Sequence, residues 1–198
     1  MTLEKIRRRL GRVVWDISDV EQVATSVCGV ILSAGLLTDE ERRFLVEVIR
    51  PEEQAHDESM EAWALEMYGP KPSHRLAYSA FGFKELLYAT LPDKRKRFAY
   101  AFASLHWNEQ FNLRWAPRVI RIFEKLEPAF ARQYAQNLLR DEPRHVAWGD
   151  GVAARLKVQE PLTYRHYEVY HRYLGEILPT VISGSHMEVY RQLEAATS

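Results

Sequence analysis

A single cysteine, Cys28, in 198 residues rules out an internal disulfide, and its place among apolar residues of a helical stretch reads as a plain buried thiol. Net charge is missing too. The 27 basic residues balance 27 acidic ones, which favours neither a nucleic-acid polyanion nor an anionic membrane as partner. The local basic clusters Lys5-Ile6-Arg7-Arg8-Arg9 and Lys94-Arg95-Lys96-Arg97 read as solvated helix ends. No run of about 18 apolar residues stands out, and the start Met1-Thr2-Leu3-Glu4-Lys5 lacks the apolar core of a signal peptide, so a soluble, cytoplasmic protein is expected. Strand signals are scarce: there is no Asn-Gly turn, alternating β-branched runs are few, and Asp150-Gly151 falls inside a helical pattern. A single all-α domain over residues 1–198 is what remains.

Against that background the chain carries two copies of the tetrad Glu-x-x-His, Glu53-Gln54-Ala55-His56 and Glu142-Pro143-Arg144-His145. Glu21 stands 32 residues before Glu53, and Glu109 stands 33 before Glu142. On an α-helix, side chains three apart share a face, so each tetrad aims a carboxylate and an imidazole at one point. The neighbours place that face inward. Val14, Ile17, Glu21, Ala24, Cys28 and Ile31 form one stripe, Ile49, Glu53, His56 and Met60 a second, Phe102, Leu105, Glu109 and Leu113 a third, and Leu138, Glu142, His145, Gly149 and Val152 a fourth. Uncompensated charges on such faces would cost several kcal/mol or more, so carboxylates that face each other need cations between them. Nitrogen and oxygen donors without cysteine argue against structural zinc and suit iron or manganese, with open positions for oxygen chemistry.

The spacing also says where the chain turns. Midway between Glu21 and Glu53 lies Gly35-Leu36-Leu37-Thr38-Asp39-Glu40-Glu41, a helix stop followed by a capping box from Thr38 to Glu41. Midway between Glu109 and Glu142 lies Lys125-Leu126, next to the break Glu127-Pro128. Each glutamate and its tetrad then sit at matching heights, roughly 24 Å from their turn at about 1.5 Å per residue. Helices are expected over about 5–35, 39–68, 75–90, 93–125 and 129–158, with two short ones on either side of Pro179. Residues 69–92 form the long crossover that parallel stacking of two hairpins requires. Pro51 and Pro143 each remove a backbone donor beside a ligand, which points to a kink or bulge at that level.

Neighbouring residues complete the reading. Asp141 and Glu52 each precede a tetrad glutamate, where a carboxylate can accept a proton from the other tetrad's histidine and fix its tautomer. His106, three residues before Glu109, reads as a supporting or buried histidine beside the site, and Arg144 is placed to pair with Asp141 or Asp150. Trp63, Trp107, Trp115, Trp148 and Tyr134 read as core aromatics.

Glu21, Glu53/His56, Glu109 and Glu142/His145 together resemble the ferritin-like superfamily of di-iron carboxylate proteins, and Asp141-Glu142-x-x-His145 is similar to its Asp-Glu-x-x-His form. The resemblance spans about residues 11–158; the helical tail 161–198 has no counterpart in it. It implies a ferritin-like four-helix bundle with a long crossover and extra C-terminal helices. It also implies that Glu21, Glu53, His56, Glu109, Glu142 and His145 hold two irons, or a manganese/iron pair, which reduce O₂ as co-substrate. Met60 stands where the radical-generating subunit of ribonucleotide reductase carries a tyrosine, no paired cysteines supply a rubredoxin-like centre, and Leu138 replaces the extra histidine of arylamine N-oxygenases. The expected function is therefore an O₂-dependent di-iron oxygenase or oxidase, a monooxygenase-type oxidoreductase acting on a small organic substrate. An external electron donor is expected, neither nucleic acid nor membrane is a partner, and a homodimer is allowed. A bacterioferritin-like ferroxidase or storage bundle is the alternative, and a non-enzymatic helical interaction protein the second. Phe81-Gly82-Phe83, the prolines and the aromatic load favour a shaped substrate pocket, with Gly149 leaving room for it.

Overall fold

Thr38 and Glu41 show why the first hairpin turns where it does. Thr38 Oγ1 accepts from the Glu41 backbone N–H at 3.2 Å while Glu41 Oε2 accepts from the Thr38 N–H at 2.8 Å, the reciprocal cap that starts a helix. Gly35, at φ +65°, ends the preceding helix in the left-handed conformation that glycine adopts without strain. The computed structural model describes residues 3–71, 89–182, 191–192 and 195, and in it six helices pack together. They are α1 Leu3–Ala34, α2 Asp39–Phe44, α3 Arg50–Tyr68, α4 Lys94–Leu126, α5 Pro128–Gln159 and α6 Pro161–Ile182. Asp93 caps α4 by accepting from the N–H groups of Arg95 and Lys96. The pairs α1/α3 and α4/α5 form two hairpins, α1 lies against α4, and α6 folds back over α4.

The prolines behave differently from one another. α2 and α3 are one rod joined by a π-helical turn, Leu45–Ile49, in which the Arg50 N–H reaches the Leu45 carbonyl. Pro51 follows and has no N–H to give, so the bulge expected beside it sits in the turn just before it. Pro143 lies inside an unbroken α5. Pro179 does not divide the tail as expected: α6 runs through it to Ile182, since a proline removes its own N–H from the helix but leaves the residues after it able to keep helical geometry. The helix expected over 75–90 and the second tail helix fall almost wholly outside the described residues.

Val13–Ala34 of α1 has the length and composition of a membrane span, contrary to the reading of no long apolar run, and 61 % of its apolar window is buried inside the bundle. The core is split in two. One apolar block gathers Val27, Ile31, Leu45, Phe98, Phe102, Val152, Leu156 and Leu174; the other gathers Leu10, Val14, Met60, Ile120, Phe123, Phe130 and Tyr134. Between them, at the middle of α1, α4 and α5 and in the first turns of α3, lies the layer of glutamates and histidines.

Arg155 of α5 fastens the α1–α2 turn to that frame. Its Nε donates to Glu41 Oε1 at 2.7 Å, and its Nη2 donates to Glu41 Oε2 at 2.8 Å and to the Leu36 carbonyl at 3.0 Å. The same Glu41 caps Thr38, so one carboxylate serves the helix start and the bundle contact. Both side chains are largely covered, and a bidentate charge-assisted pair of this kind is stronger than an exposed one. Arg155→Ala is expected to lower unfolding free energy by about 2 kcal/mol, seen as a lower urea midpoint at unchanged slope.

Candidate metal centre

Glu21 on α1, Glu53 and His56 on α3, Glu109 on α4, and Glu142 and His145 on α5 are each no more than 2 % exposed. Two groups of donors converge: Glu21, Glu53 and His56 in one, Glu53, Glu109 and His145 in the other, with the atoms of each group within 4.8 Å of one another. Glu53 belongs to both. Glu142 stands against Glu109, hydrogen-bonded to it, and accepts from Asn112 Nδ2 at 3.2 Å. These buried carboxylate and imidazole groups can hold metal ions.

Each histidine presents its two nitrogens in opposite directions. His56 Nε2 meets Asp141 Oδ2 at 3.2 Å, and its Nδ1, facing inward, has no hydrogen-bond partner. His145 Nε2 meets Glu52 Oε2 at 2.9 Å, and its Nδ1 lies 3.2 Å from Glu53 Oε1 and 3.4 Å from Glu109 Oε2. A carboxylate that takes the Nε2 proton leaves the inward nitrogen as the donor. Glu21 Oε2, Glu53 Oε1, Glu109 Oε1 and Glu142 Oε2 are buried without hydrogen-bond partners as well, the approach of Glu53 Oε1 to His145 being an ion-pair contact. Five such atoms in one buried layer form the pattern that a cation would satisfy.

Protonation follows from the same crowding. Burial, and then the charge of Glu53, pushes Glu21 well above the ordinary carboxylate range; burial and then Glu109 do the same to Glu142. Burial and the Glu109 charge raise Glu53. Burial acts upward on Glu109 too, but its hydrogen bonds with Glu142 and His145 outweigh it and hold this carboxyl low. For His145, burial acts downward and is overcome by hydrogen bonds to Glu109 and Glu53, which lift it to about 11. These directions favour an ion pair between His145 and Glu109 and the neutral form of Glu21 and Glu142. Asp141, fully buried, is held at about 2 because bonds from Arg140, His56 and Arg144 overcome burial.

His106 lies outside both donor groups. Its Nδ1 shares a hydrogen bond with the Tyr167 hydroxyl at 2.9 Å, and its Nε2 lies 3.2 Å from Asp150 Oδ1 and 3.1 Å from Gln110 Nε2. Its ring stacks on Phe102 and fills the space beside Gly149, where a Cβ would collide with it. Gly149 therefore makes room for an imidazole rather than for a substrate. The described cleft lies further along α5: about 660 Å³, with Phe44, Ala147, Trp148 and Val152 as apolar walls and Glu40 and Arg144 at its polar edge.

Several participants had no sequence signal strong enough to single them out. Asn112 sits one turn after Glu109, a spacing that could have marked it. Arg140, beside Asp141, and Tyr167, on the tail helix, are recognisable only once the helices are assembled. Arg144 pairs with Asp141 and Glu52, while Asp150 goes to His106. Comparison with family models, curated proteins and solved structures gives no match to this chain.

Proposed function

We propose that this is a ferritin-like di-iron protein, an O₂-dependent oxygenase or oxidase acting on a small organic substrate. The observation that carries the reading is the buried layer in which His56 Nδ1 and four carboxylate oxygens lack hydrogen-bond partners while facing one another across four helices. Glu21, Glu53 and His56 would hold one metal, Glu53, Glu109 and His145 the other, and Glu142 lies within reach of Glu109. A pair of redox-active metals supplies the reduction of O₂, and a donor set of carboxylates and two imidazoles suits iron or manganese. The chain's own residues do the rest. Glu53 is shared by both donor groups, Asp141 and Glu52 hold the Nε2 protons outward, and the apolar blocks above and below exclude water. The 660 Å³ cleft, which reaches the residue beside His145, is within the range of about 300–1,000 Å³ typical of small-ligand sites and supports a small-molecule substrate.

The test is anaerobic Fe(II) loading followed by O₂ exposure. About two irons per chain and O₂ consumption that stops when Glu109→Ala removes a donor are expected. Unchanged iron occupancy in that variant would remove the ligand role. A large shell on size exclusion, with many irons per chain, would replace this reading by storage; no bound metal would leave only a helical interaction protein.

A further inference from the structure

The two donor groups are joined twice. On the inside they share Glu53. On the outside a continuous chain of contacts runs from one imidazole to the other: His56 Nε2 to Asp141 Oδ2 at 3.2 Å, Asp141 Oδ1 to Arg144 Nη2 at 2.7 Å, Arg144 Nη2 to Glu52 Oε1 at 2.8 Å, and Glu52 Oε2 to His145 Nε2 at 2.9 Å. One guanidinium nitrogen thus holds the outer carboxylates of both histidines. Those carboxylates come from different hairpins, Glu52 from α3 and Asp141 from α5, and these two helices have little other direct packing.

We propose that Arg144 is a positioning residue that couples the two metal sites, so that filling one prepares the other. The inference rests on the metal-centre reading above. A metal at His56 needs the imidazole plane set and its Nε2 proton pointing at Asp141; holding Asp141 there also holds Arg144, which in turn holds Glu52 against His145. The coupling is reciprocal, since a contact chain that lets the first site favour the second must let the second favour the first. Glu53 alone does not provide this, because it acts at the inward side of the rings and does not hold the outward Nε2 of either histidine. Arg140 supplies the contrast. Its Nε and Nη2 bind Asp141 at 2.7 and 2.8 Å, and it acts on Glu52 through charge without a described hydrogen bond, so it fixes the position of one histidine only.

Co(II) titration of the metal-free full-length chain, read by absorbance and by chelator competition, separates these roles. Wild type is expected to take about two Co(II) with the second bound at least as tightly as the first. Arg144→Gln, and Arg144→Lys, which keeps the charge but loses the planar fork, are expected to fold with normal circular dichroism while the second constant falls about tenfold or more relative to the first. Arg140→Gln, which fixes one histidine only, is expected to weaken one site and leave the affinity of the other as in wild type. An unchanged ratio in both Arg144 variants overturns the proposal, and so does a loss at both sites in Arg140→Gln equal to that in the Arg144 variants. If wild type itself binds no Co(II), the metal-centre reading fails first and takes this inference with it.

Discussion

Glu53→Ala is expected to empty both metal sites at once, whereas Glu21→Ala leaves about one metal per chain. The difference follows from geometry: Glu53 is the residue common to the two donor groups, while Glu21 serves only the one with His56. Losing a donor from a three-residue set costs a site most of its affinity, and Glu53→Ala does this twice. Metal analysis after loading and desalting reads the result. Retention of one metal by Glu53→Ala would mean that this carboxylate does not span the sites. The metal-free variant should pay no comparable penalty in stability. Glu53 is 1 % exposed among Glu21, Glu109 and Glu142, and removing one member of a crowd of like groups relieves desolvation and repulsion even though His145 loses a partner. An unchanged or higher urea midpoint for metal-free Glu53→Ala, combined with loss of metal, would separate a binding layer from a structural one.

The second large effect is a reversal of pH dependence on metal loading. In the metal-free chain Glu21, Glu142 and Glu53 are raised, so the folded state keeps protons that the unfolded chain gives up above its ordinary carboxylate range. His145, raised to about 11, adds stability that is fully present below pH 6.5 and is lost as pH climbs toward 11. Both contributions make the metal-free fold weaker as pH rises, by on the order of 2 kcal/mol between about pH 6.5 and pH 8 from His145 alone. Glu109 and Asp141 act with the opposite sign, and their contribution disappears only as pH falls through the acid range. A bound metal needs the carboxylates and His145 deprotonated, so its stabilisation grows over the same interval in which the metal-free fold weakens. Urea midpoints at about pH 6 and about pH 8, with and without Co(II), should therefore diverge as pH rises. Parallel curves would contradict the assigned proton positions, as would a failure of Co(II) addition to acidify a weakly buffered solution.

Much of the architecture was legible because it is written in local signals. Thr38 and Glu41 cap as their spacing suggests, Gly35 ends α1, and Glu127 separates α4 from α5. The inward phase of Glu21, Glu53, His56, Glu109, Glu142 and His145 was legible for the same reason, since period and apolar neighbours set a face. What the chain order could not disclose depends on how helices meet. That His106 turns to Tyr167 and occupies the space beside Gly149 requires the tail helix to lie on α4. That Arg144 spans Asp141 and Glu52 depends on α3 facing α5. Local rules misjudged Pro179 because a proline removes its own backbone donor without by that alone ending a helix.

The ionisable layer lies between two separate oily blocks, one centred on Phe98 and Phe102, the other on Phe123 and Phe130. Such a chain has a seam across its waist. Among the described residues the two blocks share no buried apolar member, so without ions the halves are tied there by the long helices. Ions seated there would act as rivets, and the molecule that merely tolerates its own middle would become one that is held together by it.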